Sequence, residues 1–260
     1  MRKITINLAA VAAFCIVVAS PALVSSSCAT PKTEQEDTTI IREDSGITAL
    51  KYSSPEVPAS IEFCGKTIDL SRFDRHERMD RELLAFTYMH STSLQMLKKA
   101  NRYFPIVEPI LKENGIPYDF KYLMVIESNM NPTARSSAGA AGLWQFMQGT
   151  GRDYGLEVNN NVDERYHIEK ATRAACRYLK DAYAKYKDWV AVADSYNAGP
   201  ARLASQLDKQ DVDDSLDLQL VEETARYVYR ILAAKQLFNA PTSFGFRLRA
   251  SDLYPPFPDT

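Results

Sequence analysis

From residue 81 onward, apolar residues recur at the spacing of a buried helix face. The first such stretch runs from Leu83 into Tyr103-Phe104. Pro105 then predicts a new helix start, and Gly115 and Pro117 predict where that second helix ends. The pattern therefore indicates two separate helices in the first part of this region.

Three further helices are predicted downstream. The segment from Phe120 to Ile126 is short and very apolar, and Asn131-Pro132 forbids a helical continuation beyond Glu127-Ser128. Asp163 is predicted to cap a long helix whose inward stripe ends at Tyr186. A last helix is predicted to carry one apolar face, which consists of Leu218, Val221, Ala225, Val228 and Leu232.

The predicted fold class is all-α. Strands and helices do not alternate along the chain, and 10 glycines and 13 prolines are too few for a β-sandwich with its many turns. The chain of 260 residues is 45% hydrophobic and 25% charged, which is ordinary globular composition and enough for one sizeable core.

The N-terminus has the order of a secretory signal. Arg2 and Lys3 precede an apolar run of 12 residues, Leu8 to Ala19, and small residues follow as far as Ala29. The run is shorter than the ~20 residues that span a bilayer, so a permanent membrane helix is the weaker interpretation. We therefore expect residues 1–28 to be a signal peptide and the protein to be exported to the periplasm.

Cys28 is a candidate lipidation site. It follows small residues and precedes an acidic stretch, which resembles a bacterial lipoprotein site that anchors the mature protein to a membrane. Ser25 stands where such sites usually carry an apolar residue, and simple cleavage with loss of Cys28 is the open alternative. No disulfide is predicted between Cys64 and Cys176, because separation in sequence says nothing of distance in space.

The remainder of the chain divides into three parts. Residues 29–78, rich in Thr, Ser, Glu, Asp and Pro, are interpreted as a tether and N-terminal extension. Within them, short β-like pieces at residues 61–63 and 67–70 are expected to form a local turn around Gly65. Residues 79–240 carry the helical pattern and are predicted to be the catalytic domain. Residues 241–260 are predicted to form a C-terminal tail.

Charge and motif content argue against several functions. A formal net charge of −2 and a pI near 6.0 give no electrostatic signal for nucleic acid. No phosphate-binding glycine loop with a lysine is present, so no nucleotide and no cofactor are expected. His76, His90 and His167 are scattered, so no metal site is predicted. The acidic run over residues 208–217 lacks the glycine and closing glutamate of a calcium loop and is interpreted as a solvated loop.

Glu127 is the candidate catalytic residue. It follows Leu123-Met124-Val125-Ile126, a run so apolar that this helix end is expected in the core. Burial raises the pKa of a carboxyl, which makes it a plausible proton donor near neutral pH. A surface glutamate at a helix terminus is the alternative that this feature alone leaves open.

Four motifs then follow in order. They are Glu127-Ser128-Asn129-Met130-Asn131-Pro132, the segment from Ser136 to Met147 with Gly142-Leu143-Trp144-Gln145, Ser195-Tyr196-Asn197-Ala198-Gly199, and Glu223-Thr224-Ala225-Arg226-Tyr227-Val228. Together they resemble the lytic transglycosylases, which cut bacterial murein with a lysozyme-like α-domain, and most closely the membrane-bound lytic murein transglycosylase D branch. The resemblance covers roughly residues 80 to 240. Asp194-Ser195 departs from it, since small alanines usually precede the tyrosine.

The resemblance implies roles for individual side chains. Four are implied to contact the sugars around the scissile bond: Ser136, Gln145, Met147 and Tyr196. Two more are implied to lie along the glycan groove: Glu223 and Tyr227. Asn197 ranks below Tyr196 as a substrate contact, because it more often shapes the turn before Gly199-Pro200. Trp144 is equally compatible with the core and with a sugar platform.

The small residues from Gly139 to Gly142 predict a close approach of two backbones, as a tight cleft wall needs, although a helix packing contact is the blander alternative. Gln145 and Met147 would point in different directions on a helix, and both would touch the cleft if the helix end lines it.

The activity implied by the resemblance is that of a carbon–oxygen lyase acting on peptidoglycan glycan strands. One glutamate first donates a proton to the bond between N-acetylmuramic acid and N-acetylglucosamine, then acts as a base, and the product ends in 1,6-anhydromuramic acid. Ordinary glycosidases use two carboxylates, and the block around Glu127 contains no second acid. A goose-type muramidase that hydrolyses the same bond and a non-catalytic murein-binding scaffold are the alternatives.

Overall fold

The computed structural model describes residues 54–258. The predicted signal peptide, Cys28 and the first part of the tether lie outside the described residues. Within them the chain is helical apart from one antiparallel hairpin, β1 (Ser60–Phe63) and β2 (Lys66–Asp69). The all-α prediction is confirmed. The helices are α1 (Phe73–Tyr88), α2 (His90–Glu113), α3 (Phe120–Ser128), α4 (Gln148–Asp153), α5 (Ile168–Tyr186), α6 (Trp189–Ala198), α7 (Pro200–Gln210), α8 (Glu222–Ala225) and α9 (Tyr227–Asn239).

Helices α3 and α9 form the centre of the core. The side chains of Leu123, Met124 and Val125 in α3 are fully buried, and α9 packs against α1, α3 and α6. Burying one large aliphatic side chain contributes about 1.5–3 kcal/mol, so these two helices are held mainly by apolar contact. None of the helices within residues 54–258 is both long and apolar enough to cross a membrane.

Helix α2 differs from the prediction of two helices. It continues through Pro105 and Pro109 from His90 to Glu113. An internal proline costs about 3 kcal/mol, because its nitrogen cannot donate and its ring crowds the preceding turn. Buried side chains on both sides of Pro105, including Tyr103 and Val107, offset that cost. The break in this region lies instead at Met89, between α1 and α2.

Two other helix predictions also need correction. Asp163 caps a short 3-10 turn by accepting from the Arg165 amide, whereas His167 caps α5. The predicted last helix is divided, since Leu218 follows a 3-10 turn and Val221 is 56% exposed. Local spacing cannot reveal such divisions, because each piece is too short to show its own period.

The hairpin belongs to the core. Ile61, Phe63 and Ile68 are buried, and the Phe63 ring packs on that of Phe120 with centroids 5.9 Å apart. The boundary expected between residues 78 and 79 lies inside α1. Residues 60–78 are therefore part of the folded unit, unlike the tether of the sequence interpretation. The β-like pieces expected on either side of Gly65 are these two strands, but strands of four residues are too short to indicate that they belong to the core.

Ion pairs join this N-terminal segment to the acidic run that was interpreted as a solvated loop. Lys66 Nζ lies 3.8 Å from an Asp214 carboxylate oxygen. Arg75 lies 2.9 Å from Asp217 and 3.1 Å from Asp214. The carboxylates after α7 therefore hold the start of α1 rather than only facing solvent.

The C-terminal residues pack against α2. The Tyr254 amide donates to the Lys98 carbonyl at 3.0 Å, and the Arg102 guanidinium donates to the Pro255 carbonyl, also at 3.0 Å. Phe244 and Phe246 are buried.

Candidate active site

Glu127 lies at the end of α3, where the helix leaves the core. The helix ends at Asn129, which adopts a left-handed conformation with φ of 49°. Because the turns before it are buried, Glu127 is only partly accessible. Burial raises the pKa of its carboxyl to about 6, against an ordinary value of 4.5. The expected desolvated carboxyl is therefore present in the structure.

Tyr227, the first residue of α9, contacts this carboxyl directly. Its hydroxyl donates to Glu127 Oε1, and its side chain is almost fully buried. Burial and the nearby carboxylate raise the pKa of Tyr227 well above its ordinary value, so the phenol keeps the proton that it donates. A hydrogen bond of this kind favours the ionised carboxyl and partly opposes the effect of burial on Glu127.

Two charged side chains from the same region act on Glu127. The positive charge of Arg230 lowers the Glu127 pKa and the negative charge of Glu223 raises it, both more weakly than burial does. Both side chains line, with Asn129, a cavity of about 450 Å³. The sequence block around Glu127 contains no second acid, but α8 supplies Glu223 from almost 100 residues further along the chain.

Between α3 and α4 the chain forms a compact loop that is held by its own backbone. The Ser136 amide donates to the Ala140 carbonyl at 2.9 Å, and Ser136 Oγ accepts from the Ala140 amide at 3.0 Å. Gln145 has a φ of 48°, and its Nε2 donates to the carbonyls of Gly142 at 2.8 Å and Ala134 at 3.2 Å. Gln145 therefore stands in a tight turn and not on a helix.

The backbone of this loop packs against the 3-10 turn that precedes α5. A Cβ atom added to Gly142 would lie 1.9 Å from the Arg165 carbonyl oxygen, so the two backbones are in contact. The Arg165 guanidinium donates to the carbonyls of Gly139 at 2.8 Å and Phe146 at 2.9 Å. The predicted close approach of two backbones is thus found at Gly142, whereas Gly139 has open space at that position.

Aromatic side chains fix the loop to the core. Trp144 is fully buried and donates from Nε1 to Thr172 Oγ1 at 2.9 Å, so it is a core residue and not a sugar platform. The Tyr196 hydroxyl donates to the Trp144 carbonyl at 2.7 Å. Burial, followed by the charge of Glu127, raises the pKa of Tyr196 well above its ordinary value. Tyr196 therefore joins α6 to the loop within reach of the candidate acid.

The remaining predicted residues are more loosely connected to Glu127. Met147 precedes α4 and is 46% exposed, and Asn197 lies half-buried near the end of α6. Within residues 54–258 no hydrogen bond joins Glu127 to Ser136, Gln145, Met147 or Asn197. Their roles as sugar contacts stay predictions. No cluster of three or more metal-ligating side chains occurs in the described part of the chain.

Sequence reasoning overlooked Arg230 and Arg165. Arg230 follows Tyr227 by three residues on a helix, a spacing that places two side chains on one face. That spacing could have indicated it. The contact of Arg165 with the loop carbonyls is non-local and has no signal in the sequence.

Comparison with known proteins gives consistent matches. The family model of the transglycosylase SLT domain matches residues 105–217, which include Glu127, Ser136, Gln145, Met147, Tyr196 and Asn197. Membrane-bound lytic murein transglycosylase D of Escherichia coli K12 is 29% identical over 181 residues, covering 68% of this chain and 39% of that protein. Peptidoglycan transglycosylase gp16 of Escherichia phage T7 is 32% identical over 123 residues, covering 46% of this chain and 9% of that protein.

Among solved structures, the 70 kDa soluble lytic transglycosylase SLT70 of Escherichia coli aligns with a TM-score of 0.48 and 19% identity. The alignment covers 67% of this chain and 32% of that one. The chain spans about two fifths of the length of the transglycosylase D that it matches. The family model and the transglycosylase D match confirm the resemblance to lytic transglycosylases; the first three motifs lie within residues 105–217, and the fourth begins beyond them at Glu223.

Proposed function

This chain carries a transglycosylase SLT domain over residues 105–217, and on that premise we propose that it is a peptidoglycan lytic transglycosylase. Its substrate is the β-1,4 bond between N-acetylmuramic acid and N-acetylglucosamine. The bond is cleaved without water and leaves a 1,6-anhydromuramoyl end. The observation that carries the proposal is the buried Glu127 carboxyl, with a pKa raised to about 6 and a hydrogen bond from Tyr227.

In the first step Glu127 is the acid. A carboxyl with a pKa near 6 is partly protonated close to neutral pH, so it can donate to the glycosidic oxygen. The bond from the anomeric carbon to that oxygen breaks, and positive charge develops on the sugar. By family resemblance, the N-acetyl group of the substrate stabilises this centre, so a second protein carboxylate is not required.

In the second step the Glu127 carboxylate is the base. It takes the proton of the muramoyl 6-hydroxyl, whose oxygen bonds to the anomeric carbon. Tyr227 favours the ionised form by donating to Oε1, so it supports this half of the cycle. The proton balance closes on Glu127, and no water is consumed.

Seven residues are proposed to contact the glycan or shape its groove: Ser136, Gln145, Met147, Tyr196, Asn197, Glu223 and Tyr227. Support differs among them. Tyr227 donates a hydrogen bond to the acid, the charge of Glu127 raises the pKa of Tyr196, and the left-handed turn fixes the backbone of Gln145. Met147 offers an exposed apolar side chain that can pack against a sugar face.

One observation favours the hydrolase as a second candidate. Glu223 is an acidic residue whose charge reaches Glu127, and an inverting glycosidase needs a second carboxylate to activate water. Under that alternative Glu223→Gln would abolish turnover. Under the transglycosylase proposal it would only weaken or modulate turnover.

Mass spectrometry of the muropeptides that the protein releases from purified peptidoglycan tests the proposal. Anhydromuramoyl products that disappear in Glu127→Gln are expected, with murein binding retained. Reducing-end products would establish the hydrolase, since hydrolysis adds a water to the product mass. Murein binding with no release by the unmodified protein would favour a non-catalytic scaffold.

We also propose that the protein acts in the periplasm after export, and that Cys28 receives a lipid anchor. The charge-then-apolar order of the first 19 residues and the small residues before Cys28 support this. Metabolic labelling with a fatty-acid analogue should mark the unmodified chain and not Cys28→Ala. Equal labelling of the two, or no labelling of either, would reject the anchor.

A further inference from the structure

Arg230 lies beside the candidate active site on the helix that carries Tyr227. Because the two residues are three apart in α9, their side chains project from the same helix face. Arg230 also lines the cavity of about 450 Å³ together with Asn129, which follows Glu127 by two residues. The guanidinium therefore stands on the side of α9 that faces the end of α3.

The other charges around this cavity are already paired. Arg226 donates from Nε and Nη2 to the buried carboxylate of Glu82, at 2.5 and 3.1 Å. Glu222 pairs with Arg81. Within residues 54–258 neither Arg230 nor Glu223 has an ion-pair partner within 4.0 Å. Arg230 is thus a cation at this cavity with no carboxylate oxygen within 4.0 Å in the described part of the chain.

We propose that Arg230 is a positioning residue for the acid–base cycle of Glu127, stabilising the carboxylate that remains after the proton has been donated. The inference rests on the proposed function, in which Glu127 acts first as an acid and then as a base. Burial alone would hold Glu127 in its protonated form and would leave the second step without a base.

Three side chains act on the Glu127 carboxyl, and their effects can be separated. Tyr227 from α9 donates a hydrogen bond to it, whereas the neutral phenol of Tyr196 from α6 only experiences the charge of Glu127. Glu223 from α8 and Arg230 from α9 carry opposite charges that oppose each other at the carboxyl. Removing Arg230 leaves burial and Glu223 to favour the proton, and removing Glu223 leaves Arg230 to favour its loss.

Direct titration of Glu127 tests the inference without any need for activity. The carboxyl is followed by NMR in protein with ¹³C-labelled glutamate, and its signal is assigned by its loss in Glu127→Gln. In Arg230→Gln the Glu127 pKa should rise by about one unit, the lower end of the effect of a nearby opposite charge. Arg230→Lys should restore most of the difference. Arg202→Gln, at an exposed arginine of α7, is the matched control and should leave the pKa unchanged.

Glu223→Gln tests the charge coupling independently of Arg230, because Glu223 is exposed and its replacement does not disturb the core. It should lower the Glu127 pKa. The rate of product release should show the same two shifts. The alkaline limb of its pH profile should move to higher pH in Arg230→Gln and to lower pH in Glu223→Gln.

An unchanged Glu127 pKa in Arg230→Gln would overturn the inference, whether or not the protein releases muropeptides. If that variant does not fold, an unchanged Glu127 pKa in both Arg230→Met, which also removes the charge, and Glu223→Gln has the same consequence. An unmodified protein without turnover, in which Glu127 still responds to Arg230→Gln, would overturn the proposed function and leave the charge coupling in place.

Discussion

Gly142→Ala should strongly destabilise the protein. Gly142 has a φ of +77°, which a side chain disfavours, and an added Cβ would lie 1.9 Å from the carbonyl oxygen and 2.8 Å from the carbonyl carbon of Arg165. The obstacle is backbone, so no side-chain rotation relieves it. Arg165 is itself buried and bonded to the loop through its guanidinium, so the turn cannot easily retreat. The loop and the turn must separate.

The expected magnitude has two parts. A left-handed conformation costs a residue with a side chain about 1–2 kcal/mol. Forcing an extra carbon into a closely packed contact costs a further ~1–3 kcal/mol. Their sum is about 2–5 kcal/mol, and at about 2–4 °C per kcal/mol for a domain of this size the Tm should fall by roughly 5–20 °C.

Gly139→Ala is the matched control. Gly139 lies in the same loop with a φ of +89°, but an added Cβ meets nothing within 4 Å. It should lose only the conformational part, about 1–2 kcal/mol. Thermal unfolding of the two variants and the unmodified protein, followed by circular dichroism at one pH, therefore isolates the cost of the contact with Arg165.

If Gly142→Ala lost no more stability than Gly139→Ala, the reasoning from backbone contact would be refuted. Product release adds a second measurement, because the side chain of Gln145 donates to the Gly142 carbonyl. Gly142→Ala should therefore lower turnover even at temperatures where the variant remains folded.

Three further outcomes are expected. Tyr227→Phe removes the hydroxyl that donates to Glu127, so the pKa of Glu127 should rise above about 6 and kcat for product release should fall about ten- to a hundredfold; an unchanged pH profile would contradict this. Burial raises the pKa of Asp194 to about 8, against an ordinary value of 3.8. Between pH 3.8 and pH 8 the folded state therefore holds a proton that the unfolded state has released, so the free energy of unfolding falls as the pH rises through this range. Asp194→Asn should consequently raise the Tm at pH 8 and change it little at pH 4, and an equal effect at both would exclude proton linkage. Trp144→Phe removes the donor to Thr172 inside the core and should lower stability by about 2–4 kcal/mol in denaturant unfolding. Murein binding by the folded variant should persist because Trp144 is a core residue, and a loss of binding would contradict that placement.

Features encoded within one helix could be predicted from the sequence. The apolar run that ends at Glu127 indicates a buried helix end, and the structure has that helix and a carboxyl with a raised pKa. Gly142 indicated a close backbone approach, although its partner Arg165 could not be named because the contact is between distant parts of the chain. The four motifs added the family and the set of residues, which spacing alone does not give.

Features that depend on tertiary contact were not predictable. Pro105 breaks a helix by local rules, but packing on both sides of it outweighs that preference. The β-like pieces on either side of Gly65 indicated the hairpin, but it becomes part of the core only because Phe120 and neighbouring residues cover it, which local pattern does not reveal. Likewise, Glu223 is distant from Glu127 in sequence, so its electrostatic effect appears only once α8 is in place.

The hairpin also determines how late in synthesis the core can be completed. Its contacts reach far along the chain: Lys66 pairs with Asp188, and Lys235 donates to the carbonyl of Glu62, 173 residues earlier. At about 5–20 residues per second, a ribosome takes on the order of ten to thirty seconds to add that length. During that interval Phe63 and its apolar neighbours have emerged without their partners. Folding should therefore be slow relative to helical bundles with local contacts, and the nascent chain should depend on chaperones that shield this segment until α9 can pack against it.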